Sequence, residues 1–374
     1  MKIKITHLTS VHPRYDTRIF LKECTSLAKV EGYEVNLIVA DDLGDEEKNG
    51  VHIIDVGKLE GRLNRVFKTT QNVFAKAVEL DGDIYHLHDP ELISIGLKLK
   101  KLGKKVIFDI HENIAEQIKD KEYLNFYIRN FLSFIYSIYE KKTLKKFDML
   151  VLAEDSYMEY YSKLSNSVVV ILNMPDIEPL QKFQVDNREK NGLFYIGGIS
   201  NGRGLDVTIE AIKLLKKDIP DIYMHYIGNT YNDILESIDM ESIQNNIKFY
   251  GAMPLFDGLE LSKEAKVGLS ILKPIGNYTK SYSTKVFEYM ALGLPVVTSN
   301  FELYKNIIEK YHCGVCVDPL DPKEIADAID YILSHPGEAK RMGANGKKAV
   351  FERYNWGIEE KKLLMIYKEI LNAK

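Results

Sequence analysis

Two short stretches of this chain place glycines, cations and one acid in a pattern suited to a phosphorylated ligand. In Leu193–Leu205, LFYIGGISNGRGL, an apolar strand runs into a glycine-rich turn carrying one arginine and then into a helix. Glycines let a backbone approach a ligand closely, and the planar guanidinium of Arg203 can bond phosphate oxygens two at a time. G-x-G-x-x-G and G-x-x-x-x-G-K-[ST] are both absent, which disfavours a nicotinamide site and a P-loop. The alternative is a structural turn with a surface arginine. In Ser283–Thr298, STKVFEYMALGLPVVT, a short helix begins among hydroxyl residues and ends at Gly293, before a Pro-Val-Val strand. Ser281, Ser283 and Thr284 are available as N-caps, and Gly293 stands where a left-handed residue is wanted. Val286, Phe287, Met290 and Ala291 form the apolar side, while Glu288 shares another face with Thr284 and Lys285. That polar corner lies at the helix start, where free N–H groups favour anions. A solvated Glu–Lys pair on a surface helix is the bland account.

The first half offers a different set. Loop 10–18, directly after the first strand, carries Ser10, His12, Arg14, Asp16 and Arg18. His86 and His88 alternate on one strand face with Asp89 next to them, superficially a metal set. The sequence places no third ligand, so histidines lining a core or cleft are the preferred reading. His111 ends the apolar strand of FDIHEN, where it could exchange a proton near neutral pH or simply satisfy a backbone carbonyl. Between Lys119 and Lys146, Phe126, Phe131, Phe134, Ile135 and Ile138 make a helical stripe, with Arg129 and Lys141 outside it. Such a helix suits a membrane interface or ordinary core packing. The C-x-x-C of Cys313 and Cys316 lacks a second thiol pair and a following helix, so both cysteines read as small apolar residues.

Something must position these groups. A chain of 374 residues is long enough for two or three domains, and its composition, 45% apolar and 28% charged with net charge −4, is that of an ordinary globular protein. The charges divide almost evenly between the halves, which excludes a basic nucleic-acid module. No long apolar run reads as a span or signal, and three cysteines suit a reducing compartment, so a cytoplasmic location is expected. Alternating or apolar runs predict strands at 1–9, 34–40, 83–88, 105–110, 148–153 and 167–172, with a first helix at 17–30 and further helices between. Two prolines in MPDIEP break the pattern. It then restarts, with strands at 193–197, 222–227, 247–250, 267–272, 295–298 and 314–317 and helices at 206–217, 283–292 and 322–334. Two doubly wound parallel α/β units follow, with ligand expected at the carboxyl ends of the strands and in the cleft between the halves. The domains are set at 1–174 and 175–355. A final helical segment, 356–374, is free to pack back on the first.

Taken in order, HPRYDTRIFLKE, FDIHEN, FYIGGISNGRGLD, YIGN, FYGAMP, STKVFEYMALGLPVV and CGVCVDPLDPKEIADAI resemble family-4-type retaining glycosyltransferases across nearly the whole chain. The resemblance implies the GT-B fold, two Rossmann-like domains facing across a cleft, and a nucleotide-sugar donor. The HPRYDTRIF-like opening is similar to enzymes of bacterial surface-polysaccharide assembly, which implies a glycan or lipid-linked acceptor and a peripheral place on the inner face of the plasma membrane. By that resemblance His111, Arg203 and Lys285 are catalytic. Glu288 reads the donor ribose, and Gly198, Gly228, Gly251, Ser283 and Thr284 complete the donor site. His12, Asp16, Arg18, His88 and Lys280 fall on the donor-sugar or acceptor side. No cofactor and no metal are expected, the cations serving in their place. The chain departs from the family pattern twice: Lys280 stands where a first glutamate is usual, and Gly198 where a basic residue is common. These departures leave two other readings, a non-catalytic sugar-nucleotide-binding partner of another transferase and a sugar-nucleotide epimerase.

Overall fold

The computed structural model describes residues 2–119, 121, 124–185, 187–188, 190–230 and 243–372. The chain separates into two compact units, one of residues 1–173 with 357–374 and the other of residues 174–356.

The first unit holds an eight-stranded sheet made of β1 (Ile3–Leu8), β2 (Tyr33–Val39), β3 (Glu46–Lys48), β4 (Val51–Asp55), β5 (Ile84–Leu87), β6 (Lys105–Ile110), β7 (Met149–Leu152) and β8 (Val168–Val170), in the order β3-β4-β2-β1-β5-β6-β7-β8. All pairs are parallel except β3 with β4, so the expectation of a wholly parallel sheet is corrected at one edge. The cause is local. Asn49 and Gly50, both left-handed (φ 52 and 76), form the two-residue turn that favours a hairpin. The first helical segment is shorter than expected. A wide turn, Ile19–Cys24, continues as the α-helix Thr25–Ala28, and Asp16 starts it by accepting the N–H groups of Arg18 and Ile19 at 2.8 and 2.9 Å.

Parity along the strands decides which residues meet. Leu8, Tyr85, Leu87, Val106 and Phe108 join the helices Thr70–Leu80 and Ile93–Lys101 in a buried apolar core. On the opposite face, register pairs His7 with His86. The C-terminal helix Trp356–Asn372 reaches this face, where the Tyr367 hydroxyl is 2.9 Å from His86 Nδ1 and 3.2 Å from His7 Nε2.

The helix Phe126–Thr143 turns the expected stripe outward. Its buried positions are Ser133, Glu140 and Thr143; Ser133 donates to the Ala115 carbonyl, and Glu140 accepts the hydroxyls of Tyr160 and Tyr161. Phe131 and Phe134 are 63% and 62% exposed, with Phe126, Ile135 and Ile138 exposed beside them. Core packing of that stripe is therefore excluded in this structure. Asp120, Glu122 and Tyr123, which begin the same sequence stretch, lie outside the described residues. Among the described residues no helix is long and apolar enough to cross a membrane.

The second unit is a six-stranded parallel sheet of β9 (Gly192–Ile196), β10 (Tyr223–Ile227), β11 (Ile247–Phe249), β12 (Ala265–Ser270), β13 (Val296–Ser299) and β14 (Gly314–Val317), in the order β11-β10-β9-β12-β13-β14. The helices Leu205–Leu215, Thr284–Ala291 and Pro322–Ser334 fall near the expected ranges, and Glu302–Tyr311 and Pro336–Glu352 add to them. Leu193, Tyr195, Ile209, Ile212, Val267 and Ile329 belong to its apolar core. Both units thus have the Rossmann-like layout expected from the alternating pattern.

Candidate functional site

In the second unit the ends of β9 and β10 are welded together by glycine. Gly197 donates to the Ile227 carbonyl at 2.8 Å, and a Cβ on Gly228 would lie 2.0 Å from the Gly197 carbonyl oxygen. Both have φ 134, a conformation that side chains avoid. Lys285 occupies the space over Gly197, where a Cβ would be 2.4 Å from Lys285 Cε and 2.9 Å from Nζ. The glycine that admits the lysine is therefore Gly197. Gly198, which the resemblance assigned to the donor site, offers its carbonyl to the Tyr195 hydroxyl at 2.5 Å and to Arg203 Nη1 at 3.4 Å. Spacing alone could not separate two adjacent glycines; only the backbone dihedral does.

Arg203 ends the short helical turn Asn201–Arg203 and is followed by left-handed Gly204 (φ 73) and the helix Leu205–Leu215. Its Nε is 3.5 Å from the Tyr278 hydroxyl, so its bonds inside the unit are long and the guanidinium retains capacity for an anion. Lys285 sits on the first turn of Thr284–Ala291. Ser283 is the residue before that helix, and its side chain makes no capping bond; the Val286 N–H donates to the Ser283 carbonyl at 3.1 Å, while the N–H groups of Thr284 and Lys285 at the very start carry no side-chain cap from Ser283. Burial, then the charge of Arg203, lowers the Lys285 pKa to about 8, against the opposing pull of Glu288. Two cations that repel in a half-buried corner, beside a helix start without a side-chain cap, have the chemistry to hold a multiply charged anion. Glu288 is half-buried one turn further along the helix. Gly251 is exposed and left-handed (φ 70), and its carbonyl accepts the Gly228 N–H at 2.8 Å. Lys280 is exposed on the loop before the helix. Cys313 and Cys316 are free thiols whose pKa values burial pushes up to about 12, which makes them inert.

In the first unit a second polar cluster lies at the ends of β1, β5 and β6. Asp109 accepts two bonds from Arg18, at 2.8 and 2.9 Å, and Arg18 also donates to the Ile171 carbonyl at 2.8 Å. His111 Nε2 is 3.0 Å from Asp109 Oδ2, and the ring remains partly exposed. Burial would raise the Asp109 pKa, but Arg18 and His111 outweigh it and hold the carboxyl well below its usual range. Asp89 anchors the loop above, accepting the Thr9 hydroxyl at 2.9 Å and the Ser10 N–H at 2.5 Å. His12 lies 3.3 Å from Asp16 and 3.4 Å from Asp89. Burial opposes its charging, yet Asp16 and Asp89 keep its pKa above the usual histidine value. The structure thus brings His12, Asp16 and His111 to an accessible edge. It differs from the expectation at Arg18 and His88, both buried, which hold other side chains and present no face to a substrate. Arg14 is tied to Asp41 by bonds of 2.8 and 2.7 Å, and so supports the loop from below.

The sequence reading passed over His7, Glu23 and Tyr367, all buried on the His86 face. His7 and Tyr367 sit in apolar strand and helix patterns, and only the strand register and the return of the last helix bring them together.

Residues 176–349 match the family model described as Glycosyl transferases group 1. The chain is 29% identical to an uncharacterised glycosyltransferase of Methanocaldococcus jannaschii over 188 residues, 49% of this chain and 46% of that one, so the match spans about half the length of that relative. It is 20% identical to a phosphatidyl-myo-inositol mannosyltransferase of Mycobacterium leprae over 301 residues, 79% of this chain and 76% of the relative. The crystal structure of Anabaena HepE in complex with UDP and glucose superposes with a TM-score of 0.73 at 13% identity, covering 98% of this chain and 100% of that one, a likeness of fold. This chain therefore has the GT-B fold of two Rossmann-like units, and its second unit is similar to the group 1 glycosyltransferases.

Proposed function

We propose that the chain is a retaining glycosyltransferase of family-4 type. It moves a sugar from a nucleoside-diphosphate donor, a UDP-sugar in preference to a GDP-sugar, to a glycan or lipid-linked acceptor in bacterial capsule, O-antigen or exopolysaccharide assembly. The observation that carries this reading is the cationic corner of the second unit, with Arg203 and Lys285 converging beside Gly197 and a helix start without a side-chain cap. Negative charge grows on the diphosphate as the glycosidic bond breaks, and two fixed cations at a helix start stabilise it without reorganising. Glu288 follows on the same helix and is assigned to the ribose hydroxyls. His111, oriented by Asp109, is assigned to the transferred sugar. The cations make a donor-site metal unnecessary in this mechanism. The UDP in the HepE structure favours a uridine donor, and the mycobacterial relative, named for a phosphatidylinositol acceptor, favours a lipid-linked one. The exposed aromatic face of Phe126–Thr143, ending in lysines, supports a peripheral membrane position.

A thermal-shift panel of UDP, GDP, UDP-sugars and GDP-mannose, without added metal, tests the reading. Stabilisation by the uridine set supports it, and no shift at millimolar nucleotide removes its basis. The exposed Lys280, at the position where a glutamate is usual in the resembling family, favours a second reading as a non-catalytic nucleotide-binding partner. Nucleotide binding without nucleotide release in the presence of acceptor extracts would select it.

A further inference from the structure

The face of the first sheet opposite its apolar core buries four metal-ligating side chains around one point. His7 on β1 and His86 on β5 are register partners, His88 follows two residues later, and Glu23 projects from the turn Ile19–Cys24 packed above them. All four are inaccessible to solvent or nearly so. Glu23 Oε2 lies 4.0 Å from His7 Nδ1, 4.0 Å from His86 Nδ1 and 3.9 Å from His88 Nε2, and the two nitrogens of His7 and His88 are 2.8 Å apart. One donor atom from each residue lies within 4.8 Å of every other. A tetrahedral ion with bonds of about 2.1 Å needs donors about 3.4 Å apart, so the observed separations bracket the requirement.

A second observation points the same way. Neither carboxylate oxygen of Glu23 has a hydrogen-bond partner, although both are buried. Arg18 Nε is 3.2 Å from Glu23 Oε1, but it donates instead to Asp109 at 2.8 Å. One arginine thus faces two buried carboxylates and bonds one. One arginine against two carboxylates leaves one buried negative charge over, which must be met by a proton shared between Glu23 and Asp109 or by a cation, since a buried charge without a counter-charge is too costly to keep.

We propose that His7, Glu23, His86 and His88 form a closed binding site for one divalent transition-metal ion, with zinc the best fit. Three imidazoles and one carboxylate, all buried, are the ligands of a structural, four-coordinate site. His7 Nδ1 and His88 Nε2 exchange their mutual hydrogen bond for the metal, and His86 Nδ1 gives up its contact with the Tyr367 hydroxyl. The Nδ1–H that His88 then carries faces Asp109 Oδ2 at 3.4 Å, the carboxylate that also holds His111, and His7 Nε2–H faces the Tyr367 oxygen. The ion would fix β1, β5 and the first helical turn beneath His111. It is separate from the cationic corner of the second unit, and the proposal stands whether or not that corner takes a nucleotide.

The test uses the full chain with any histidine tag removed, stripped with dipicolinate and dialysed against micromolar Zn2+ or Co2+. About one Zn2+ per chain, a fall in Tm on stripping and an intense visible Co2+ spectrum of tetrahedral type are expected. The His111→Ala variant keeps the metal, and Glu23→Gln, if it folds, loses it. Substoichiometric uptake by the wild-type chain, or a weak octahedral Co2+ spectrum, would leave a proton shared between Glu23 and Asp109 as the answer and overturn the proposal. Loss of the metal in His111→Ala would overturn it too, because it would move the ion to His88, Asp109 and His111.

Discussion

Lys285 is the residue on which stability and ligand binding pull in opposite directions. Its pKa falls from 10.5 to about 8 because burial and Arg203 disfavour its charge. At ~1.4 kcal/mol per pKa unit, holding it protonated at pH 7 costs the free protein up to about 3 kcal/mol. Lys285→Met keeps most of the volume and removes the charge, so the free variant is expected to be more stable than wild type at pH 7 by up to that amount. The sign of the pH dependence follows from linkage. Between about pH 8 and 10.5 the unfolded chain binds the proton that the folded chain has released, so wild-type stability rises through this window. The advantage of Lys285→Met therefore shrinks from pH 8 upward and is gone near 10.5. Binding runs the other way. A diphosphate beside Lys285 restores its proton, so UDP affinity of the wild type falls as pH rises above about 8. Losing one charge-assisted contact of about 1.5–3 kcal/mol weakens UDP binding in the variant by roughly 10–100-fold and flattens that pH profile. Urea denaturation and calorimetric titration with UDP, each across pH 6.5–10, measure both arms. A variant that is less stable at pH 7 and binds UDP as wild type does would refute the electrostatic account of this corner.

Glycine substitutions separate close contact from backbone strain: Gly228→Ala drives a Cβ to 2.0 Å from a backbone oxygen and is expected to cost about 3 kcal/mol or more, whereas Gly251→Ala, with open space around it, costs about 1–2 kcal/mol, both read by urea denaturation. Asp109→Asn removes two charge-assisted bonds to Arg18 but leaves Glu23 at 3.2 Å as its counter-charge, and is expected to cost about 1–3 kcal/mol. On an identified acceptor, the same variant should lower kcat more than it raises KM, since His111 loses its orientation. Replacing Phe131 and Phe134 by Ser should change stability by less than about 0.5 kcal/mol, because both are exposed, while reducing sedimentation with anionic vesicles several-fold. Equal sedimentation of wild type and variant would remove the membrane role from this helix.

The alternating apolar runs and the glycines that end them were sufficient for the two α/β units, because strand and helix periodicity is a local property of the chain. The local placement of Arg203, Lys285 and Glu288 was legible for the same reason: a strand, a tight turn and a helix start fix their neighbourhood within a few residues. The Asn49–Gly50 hairpin was equally local and could have been read. What the sequence could not decide depended on residues far apart in the chain. The orientation of Phe126–Thr143 was set by partners of Ser133 and Glu140 on other elements, so the stripe that suited either a core or a membrane interface faces outward. Gly197 was chosen over Gly198 by a single dihedral and the approach of Lys285. His88 and Arg18, which the family resemblance set on the donor-sugar or acceptor side, are buried by the elements that close over them. The meeting of His7, Glu23, His86, His88 and Tyr367 required the register of β1 with β5 and the return of the last helix across some 280 residues. Periodicity specifies which face of an element is buried, but pairing and packing decide what it is buried against, and that is where the chemistry of the first unit was made.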